Sequence, residues 1–438
     1  MPSWGLLLLL ALPLALPAQS QSELKSILDR LDRLEQENKT LKEEVRLLRA
    51  RVGEPETEAA PPVVERVEIA ERRIEEVVQT KVEASQKYPV KLTGMAIFNT
   101  YYNTKHSSGF DDPLVASLNP GRSVAGASFR QSIIGFEYSG SKTIFGGTAG
   151  GSLYLDLYDG LTVGGTQPLR LRTANFHIDW QTRTLSVSYE KAIFNPRTPT
   201  SYMTVGVGPL WASGNLWRWQ PQVKFEQRIR LSDATSFTAQ AGVIQTTESA
   251  GIPGSAGAFA DRRPGLEGRF ELNQRLWGEH RLQFAPGFHV STSHVAGLSI
   301  PSHIFSMDWM VNPFAKLELT GAFFDGINVT HLGGLRQGVV LGPNGIPIGV
   351  HAQGGWAQAS YPLAKRLTLN LFAGTEDARN SELQRGGIGR NLSGGGNLML
   401  RLAPNVVVSF ETMQWRTSYI GTGTRLNNRY DLALVYLF

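Results

Sequence analysis

Seven basic residues are spaced so that they could act on one anion. Arg218, Lys224 and Arg228 fall on one face of a segment in which every second residue is apolar, opposite Trp217, Trp219, Pro221, Val223 and Phe225. Arg170 and Arg172 alternate in the same way in an earlier segment, and Arg269 does so in a later one. Arg197 lies in the connection between the two groups. A guanidinium fork matches two oxygens of a carboxylate or phosphate. A row of such charges along an aqueous passage concentrates anions and replaces part of their hydration. Glu226, Glu267 and Glu271 share these faces, so neutralisation within the wall is an equal alternative.

The element that would hold these residues is a β-strand with one apolar and one polar face. From Tyr88 to the end the chain keeps this alternation. Sixteen such segments can be placed, from 90–102 through 169–180, 217–230, 264–275, 301–312 and 394–403 to 428–438. The connections after the even-numbered segments are mostly short, as in QTR, SDATS, WGEH, NP, PLAKR and AP. Most of those after the odd-numbered segments are long, near 103–127, 194–216, 246–263, 326–347 and 377–393. Sorting of this kind belongs to an all-β transmembrane barrel, here of 16 antiparallel strands. Mean hydropathy is −0.17, which such a barrel allows because its lumen-facing residues are polar. Sixteen strands enclose an aqueous lumen rather than a core of side chains. Trp217, Trp219, Trp309 and Trp356 are candidates for the aromatic girdles. The last segment puts Tyr430, Leu432, Leu434, Tyr436 and the terminal Phe438 on one face. That pattern resembles the signal by which barrel-assembly machinery receives outer-membrane strands.

The first 87 residues are of another kind. Residues 1–18 read as a signal peptide, with an apolar core from Gly5 to Leu16. Heptads run through 19–52, with Leu24, Leu31, Asn38, Val45 and Val52 at a and Ile27, Leu34, Leu41 and Leu48 at d. In this frame Arg30 and Glu35 flank Leu31 and Leu34, a pattern that resembles trimeric coiled coils. There Arg reaches Glu on the next helix while its methylenes cover the seam. Asn38 at an a position fixes register. A homotrimer held by a periplasmic α-helical coiled coil is the expectation. GEPETEAAPP breaks the helix and opens a linker and short helix over 53–87, before the barrel domain of 88–438.

Other functions find little footing. Of 438 residues none is Cys, which removes disulfides and thiol nucleophiles. The eight His are scattered without an evident carboxylate partner, so no enzyme, catalytic residue, metal site or cofactor is expected. The basic residues are spread over strands and loops rather than massed, which disfavours nucleic acid. The barrel domain carries a modest excess of positive charge, with 30 basic against 22 acidic residues.

SFRQSIIGFEYSG (128–140), GGSLYLDLYDG (150–160), LRLRTANFHIDW (169–180) and GGWAQASYPL (354–363), taken in order with the leader, the coil and Phe438, resemble one family. It is that of trimeric outer-membrane porins of the phosphate-selective O and P type, in particular the DcaP-like members with an N-terminal coiled coil. The resemblance implies passive diffusion of small hydrophilic, preferentially anionic solutes across the bacterial outer membrane, among its lipids. It also implies that the connection over 194–216 folds into the lumen and narrows it. That stretch carries Arg197 and no acidic residue, so the carboxylates that many porins place there are missing. The alternative is a structural barrel that tethers the membrane to peptidoglycan through the coil.

Overall fold

The computed structural model describes residues 90–438 except 110, 159–167, 246, 250–257, 261–262, 277, 279, 296–297, 315, 336 and 343, together with Gln36, which is helical and exposed. The signal peptide, the rest of the coiled coil with Arg30, Leu31, Leu34, Glu35 and Asn38, and the 53–87 linker lie outside the described residues. Glu83–Phe438 forms a unit of its own.

That unit is a closed barrel of sixteen antiparallel strands. They are β1 (Val90–Asn103), β2 (Val124–Ser128 and Ile133–Lys142), β3 (Thr148–Asp156), β4 (Arg170–Asp179), β5 (Arg183–Lys191), β6 (Trp219–Arg230), β7 (Thr235–Ile244) and β8 (Gly265–Arg275). There follow β9 (Arg281–Val295), β10 (Leu298–Phe314), β11 (Leu317–Ile327), β12 (His351–Ala364), β13 (Leu367–Ala378), β14 (Ile388–Ala403), β15 (Val406–Tyr419) and β16 (Gly423–Leu437). Each pairs with the next, and β1 closes on β16 from Met95↔Leu437 to Asn103↔Arg429. Phe438 continues the seam by exchanging both backbone hydrogen bonds with Gly94, at 2.9 and 3.1 Å. Closure leaves no strand edge unpaired, as a bilayer requires.

Outward faces are apolar. On β8, Leu266 and Phe270 are 54% and 41% exposed, while Glu267 and Arg269 between them are buried at 1% and 4%. Leu432, Leu434 and Tyr436 repeat this on β16, with Asp431, Ala433 and Val435 turned inward. So much exposed aliphatic and aromatic surface on every second residue is stable only against lipid.

Several boundaries differ from the sequence reading. β10 runs through Asn312 and Pro313, with a register shift between Val311 and Phe314. β14 begins at Ile388 rather than 394, so the long connection expected over 377–393 shrinks to 379–387. Its Gly394–Gly396 run offers no alternation to read. β16 begins at Gly423, which leaves a tight turn after β15. β2 is broken at 129–132, where Arg130 and Gln131 both turn inward. A break of this kind re-aims side chains, here leaving Ala96, Ile97 and Phe98 of β1 without a ladder partner on β2.

Candidate functional site

The connection 192–218, between β5 and β6, lies inside the barrel and is its constriction. Four apolar contacts seat it. Phe194 and Leu216 pack with Ile304, Phe324 and Leu332. Met203 and Leu210 meet Trp356, Phe372, Met413 and Trp415. Tyr202 and Val205 lie on Ile97, Val407, Ala433 and Val435. Val207 joins Tyr158, Trp217 and Trp219. Three of the proposed girdle tryptophans, Trp217, Trp219 and Trp356, are therefore buried on this loop, at 4%, 9% and 4% exposure. Trp309 alone of the four sits on an outward face, in register with Phe284 of β9. The alternation count failed at Trp217 and Trp219 because β6 begins only at Trp219, and the residues before it follow the loop.

Polar contacts then tie the loop to wall strands around the lumen. Glu267 Oε2 on β8 accepts from the Ile193 amide at 2.6 Å. Gln358 Oε1 on β12 accepts from the Thr200 amide at 2.6 Å. Ser201 Oγ donates to the Glu411 carboxylate on β15 at 2.7 and 2.8 Å. Gln131 Oε1 in the break of β2 accepts from the Gly206 amide at 2.5 Å. Asn391 Nδ2 on β14 donates to Ala212 O at 2.8 Å. The loop backbone also touches the wall directly. A Cβ at Gly214, whose φ is +100°, would lie 2.2 Å from Gly355 O, and one at Gly374 would lie 2.2 Å from Ser213 O. Leu210 and Ala212 hold left-handed φ of 59° and 57° without being glycine. Strain of that kind, about 1–3 kcal/mol per residue, persists only where surroundings over-determine it.

All the basic residues singled out above except Arg218 have acidic partners. Arg170 and Arg172 share Asp156 at 2.8 and 3.2 Å, and each donates to a loop carbonyl, Gly206 O and Val205 O, at 2.6 Å. They also flank the Trp219 ring at 5.3 and 4.6 Å. Both are thus clamps on the loop. Arg197 bonds Asp308 at 2.6 Å and Gln283 at 2.6 Å, with Glu271 at 3.6 Å. Arg269 bonds the other face of Asp308 at 2.6 Å and also Glu271. The loop arginine and the wall carboxylates Asp308 and Glu271 make the pairing that the loop's own sequence lacks, in the opposite sense. Lys224 is 4.0 Å from Glu190, and Arg228 is held by Asp179 and Glu226 at 2.7 Å each. Arg218, just before β6, has no ion pair among the described residues, and burial pushes its guanidinium below the usual range. Glu226 and Glu271 thus neutralise wall arginines, but Glu267 does not.

Glu267 belongs instead to a histidine pair that the sequence did not reveal. Its Oε1 lies 2.9 Å from His289 Nδ1 and accepts from Gln220 at 2.7 Å. His289 Nε2 is 3.4 Å from His331 Nε2, and both rings are buried. His331 sits on the turn Thr330–Leu332 of the β11–β12 connection, beside the carbonyls of Leu332 and Gly333 that accept from the loop amides of Arg218 and Ala212. The imidazole of His331 is held well below its usual range by burial, by His289 and by Arg218. Residues 42 positions apart carry no spacing signal.

Solvent reaches the lumenal charges mainly beside β4–β9. Asp179, Arg228 and Glu190 there have side chains 48%, 38% and 31% exposed. On β13–β16 the inward Glu376, Asn391, Glu411, Arg429 and Asp431 are all buried. Among the described residues no group of three His, Asp or Glu is arranged to hold a metal.

No family model and no curated protein sequence matches the chain. Solved structures do. The outer membrane channel DcaP of Acinetobacter baumannii superposes with a TM-score of 0.65 at 13% identity, over 80% of this chain and 97% of that one. OprB of Pseudomonas putida follows at 0.54 and 11%, over 82% and 96%. An anion-selective porin from Comamonas acidovorans gives 0.53 and 13%, over 80% and 99%. At such identities the likeness is one of fold, and it is the fold of outer-membrane barrels.

Proposed function

We propose that this chain is a porin: a water-filled outer-membrane channel for passive diffusion of small hydrophilic solutes, with a weak preference for anions. The observation that carries this reading is the constriction. A closed sixteen-strand barrel holds one connection pinned inside it, and the charges left accessible to water lie together on the β4–β9 wall. A structural tether needs no such arrangement. Anion preference is drawn from the sequence surplus of basic residues and from Arg218, not from the wall arginines, which are mostly paired.

The rest of the proposal stands on sequence. Residues 1–18 direct export, 19–52 form a periplasmic coiled coil that holds a homotrimer, and 53–87 link it to the barrel. Tyr430 to Phe438 present the barrel-assembly signal. Arg30→Ala with Glu35→Ala should weaken an isolated 19–53 trimer in sedimentation and melting.

The channel is tested by reversal potential across a KCl gradient in a planar bilayer. Anion selectivity, with conductance arriving in groups of three, is expected. Absence of conductance would move the reading to a tether, and cross-linking to peptidoglycan would then be sought. Cation selectivity would assign the field to Glu190, Glu226 and Glu271.

A further inference from the structure

The β11–β12 connection is fastened to the constriction by one turn, and that turn carries a histidine set against another. Asn328 and Gly333 bracket Thr330–Leu332 with left-handed φ of 57° and 102°. Inside the bracket His331 and Leu332 are buried, Leu332 among Phe194, Leu216 and Ile304. The turn's carbonyls hold the far end of the constriction loop. Leu332 O accepts from the Arg218 amide at 3.2 Å, and Gly333 O accepts from the Ala212 amide at 3.4 Å. Displacing His331 therefore strips these amides of their acceptors.

The protons of the two rings follow from their neighbours. Glu267 Oε1 accepts from Gln220 Nε2 at 2.7 Å and lies 2.9 Å from His289 Nδ1, while Oε2 accepts from the Ile193 amide at 2.6 Å. A carboxylate that accepts from all its neighbours assigns the proton of neutral His289 to Nδ1. Its Nε2 is then an acceptor, 2.8 Å from Ser291 Oγ and 3.4 Å from His331 Nε2. His331 Nε2 must carry a proton to face it. Ser302 Oγ, which donates to Asn328 O, is a second acceptor for that proton at 3.4 Å. The contact thus suits two neutral rings. A proton added to His289 sets N–H against N–H. One added to His331 sets a buried charge beside Arg218.

The groups that face the turn come from several elements. β9 puts His289 against the ring, with Glu267 of β8 behind it. Arg218 approaches from before β6, and β10 supplies the uncharged Ser302. β13 supplies Glu376, whose Oε1 accepts from the Leu335 amide at 2.7 Å.

We propose that the His289–His331 contact is an acid-released latch on the constriction: proton uptake frees the Thr330–Leu332 turn, and the loop end at Ala212 and Arg218 loosens with it. The proposal rests on the channel reading for its effect on current alone. Burial, His289 and Arg218 hold the His331 imidazole well below its usual range, so the proton is taken up on release. Each pH unit below about 6.5 should then raise the released population by up to about tenfold.

Hydrogen exchange on the detergent-solubilised full chain, expressed as protection against the free-peptide rate at each pH, reads the latch. Protection at Ala212 and Arg218 should fall from pH 7.5 to 4.5, while that at Gly206, held by the neutral Gln131 carboxamide, should not. In a planar bilayer the open-channel current should become noisier over the same range. His331→Gln keeps a neutral polar side chain and should flatten both responses. Glu376→Gln should leave both in place. Wild-type protection at Ala212 and Arg218 that follows Gly206 at every pH overturns the latch without recourse to a variant. So does a response that survives His331→Gln, or one that disappears in Glu376→Gln, because the carboxylate would then be the sensor. A fall in protection with no current at any pH would reject the channel and keep the latch. Steady current beside pH-independent protection would do the reverse.

Discussion

Replacing Asp308 by Asn tests whether the constriction is held at its root by charge. The Asp308 side chain is 1% exposed and bonds Arg269 at 2.6 and 2.8 Å and Arg197 at 2.6 Å. Asparagine keeps the shape but removes the charge and turns an NH2 toward at least one guanidinium. Removing one partner of a buried pair costs about 3–5 kcal/mol, because the other charge stays buried. Glu271 also reaches both arginines, so the lower end, about 3 kcal/mol, is expected here. At about 1.4 kcal/mol per decade, local opening of residues 192–200 should become about a hundredfold more frequent. Hydrogen exchange followed by mass spectrometry reads this at the Ile193 and Thr200 amides, which Glu267 and Gln358 now protect. Residues 205–213 hang on Gln131, Asn391 and Ser393 and should change little. Adding Arg197→Gln removes the orphaned loop charge and should restore part of the protection, a coupling that a double-mutant cycle measures. Unchanged exchange over 192–200 in Asp308→Asn would refute the reasoning. So would an Arg197→Gln effect that simply adds.

Three further outcomes are expected. Gly214→Ala should displace the loop tip from β12, costing at least about 2 kcal/mol through backbone strain and the clash with Gly355; faster exchange over 210–216 is the readout. The β11–β12 connection should loosen in acid. The depressed His331 pKa means that the released loop binds the extra proton, so anchoring is complete above the ordinary value of 6.5 and declines as pH falls below it. The decline is at most about 1.4 kcal/mol per pH unit. His289, Arg218 and Ser302 face the ring, with Glu267 on the far side of His289, and limited proteolysis of 328–350 from pH 7.5 to 4.5 should steepen in wild type and stay flat in His331→Gln. Phe438→Ser should lower the yield of folded barrel in the outer membrane, judged by heat-modifiable gel mobility. Its ring packs over Gly94, and its backbone extends the closing seam. Normal yield would separate closure from recognition.

The wall of this barrel was legible because two solvents write it. Lipid selects Leu266 and Phe270, water selects Glu267 and Arg269, and the switch recurs at every residue. Where a strand offers glycines to both, as at Gly394–Gly396, the signal fades and the boundary was misplaced. The interior was not legible in this way. Its contacts join Ser201 to Glu411 and Arg197 to Asp308, more than a hundred positions apart, and no local period encodes them. The face of each arginine could be read, but its partner could not. Glu267 was a reasonable candidate to neutralise Arg269, yet its oxygens are taken by His289, Gln220 and the Ile193 amide.

That distinction bears on how charge in this barrel should be interpreted. A surplus of basic residues says little about what a passing ion experiences, because Arg170, Arg172, Arg197 and Arg269 spend their charge on carboxylates that position the constriction. On the channel reading proposed above, the field along the lumen falls to the charges left exposed once the loop has been fastened, Asp179, Glu190 and Arg228 among them. On that reading selectivity belongs to the exposed charges rather than to the total. Substitutions at the paired arginines should alter the shape of the constriction before they alter its preference for charge.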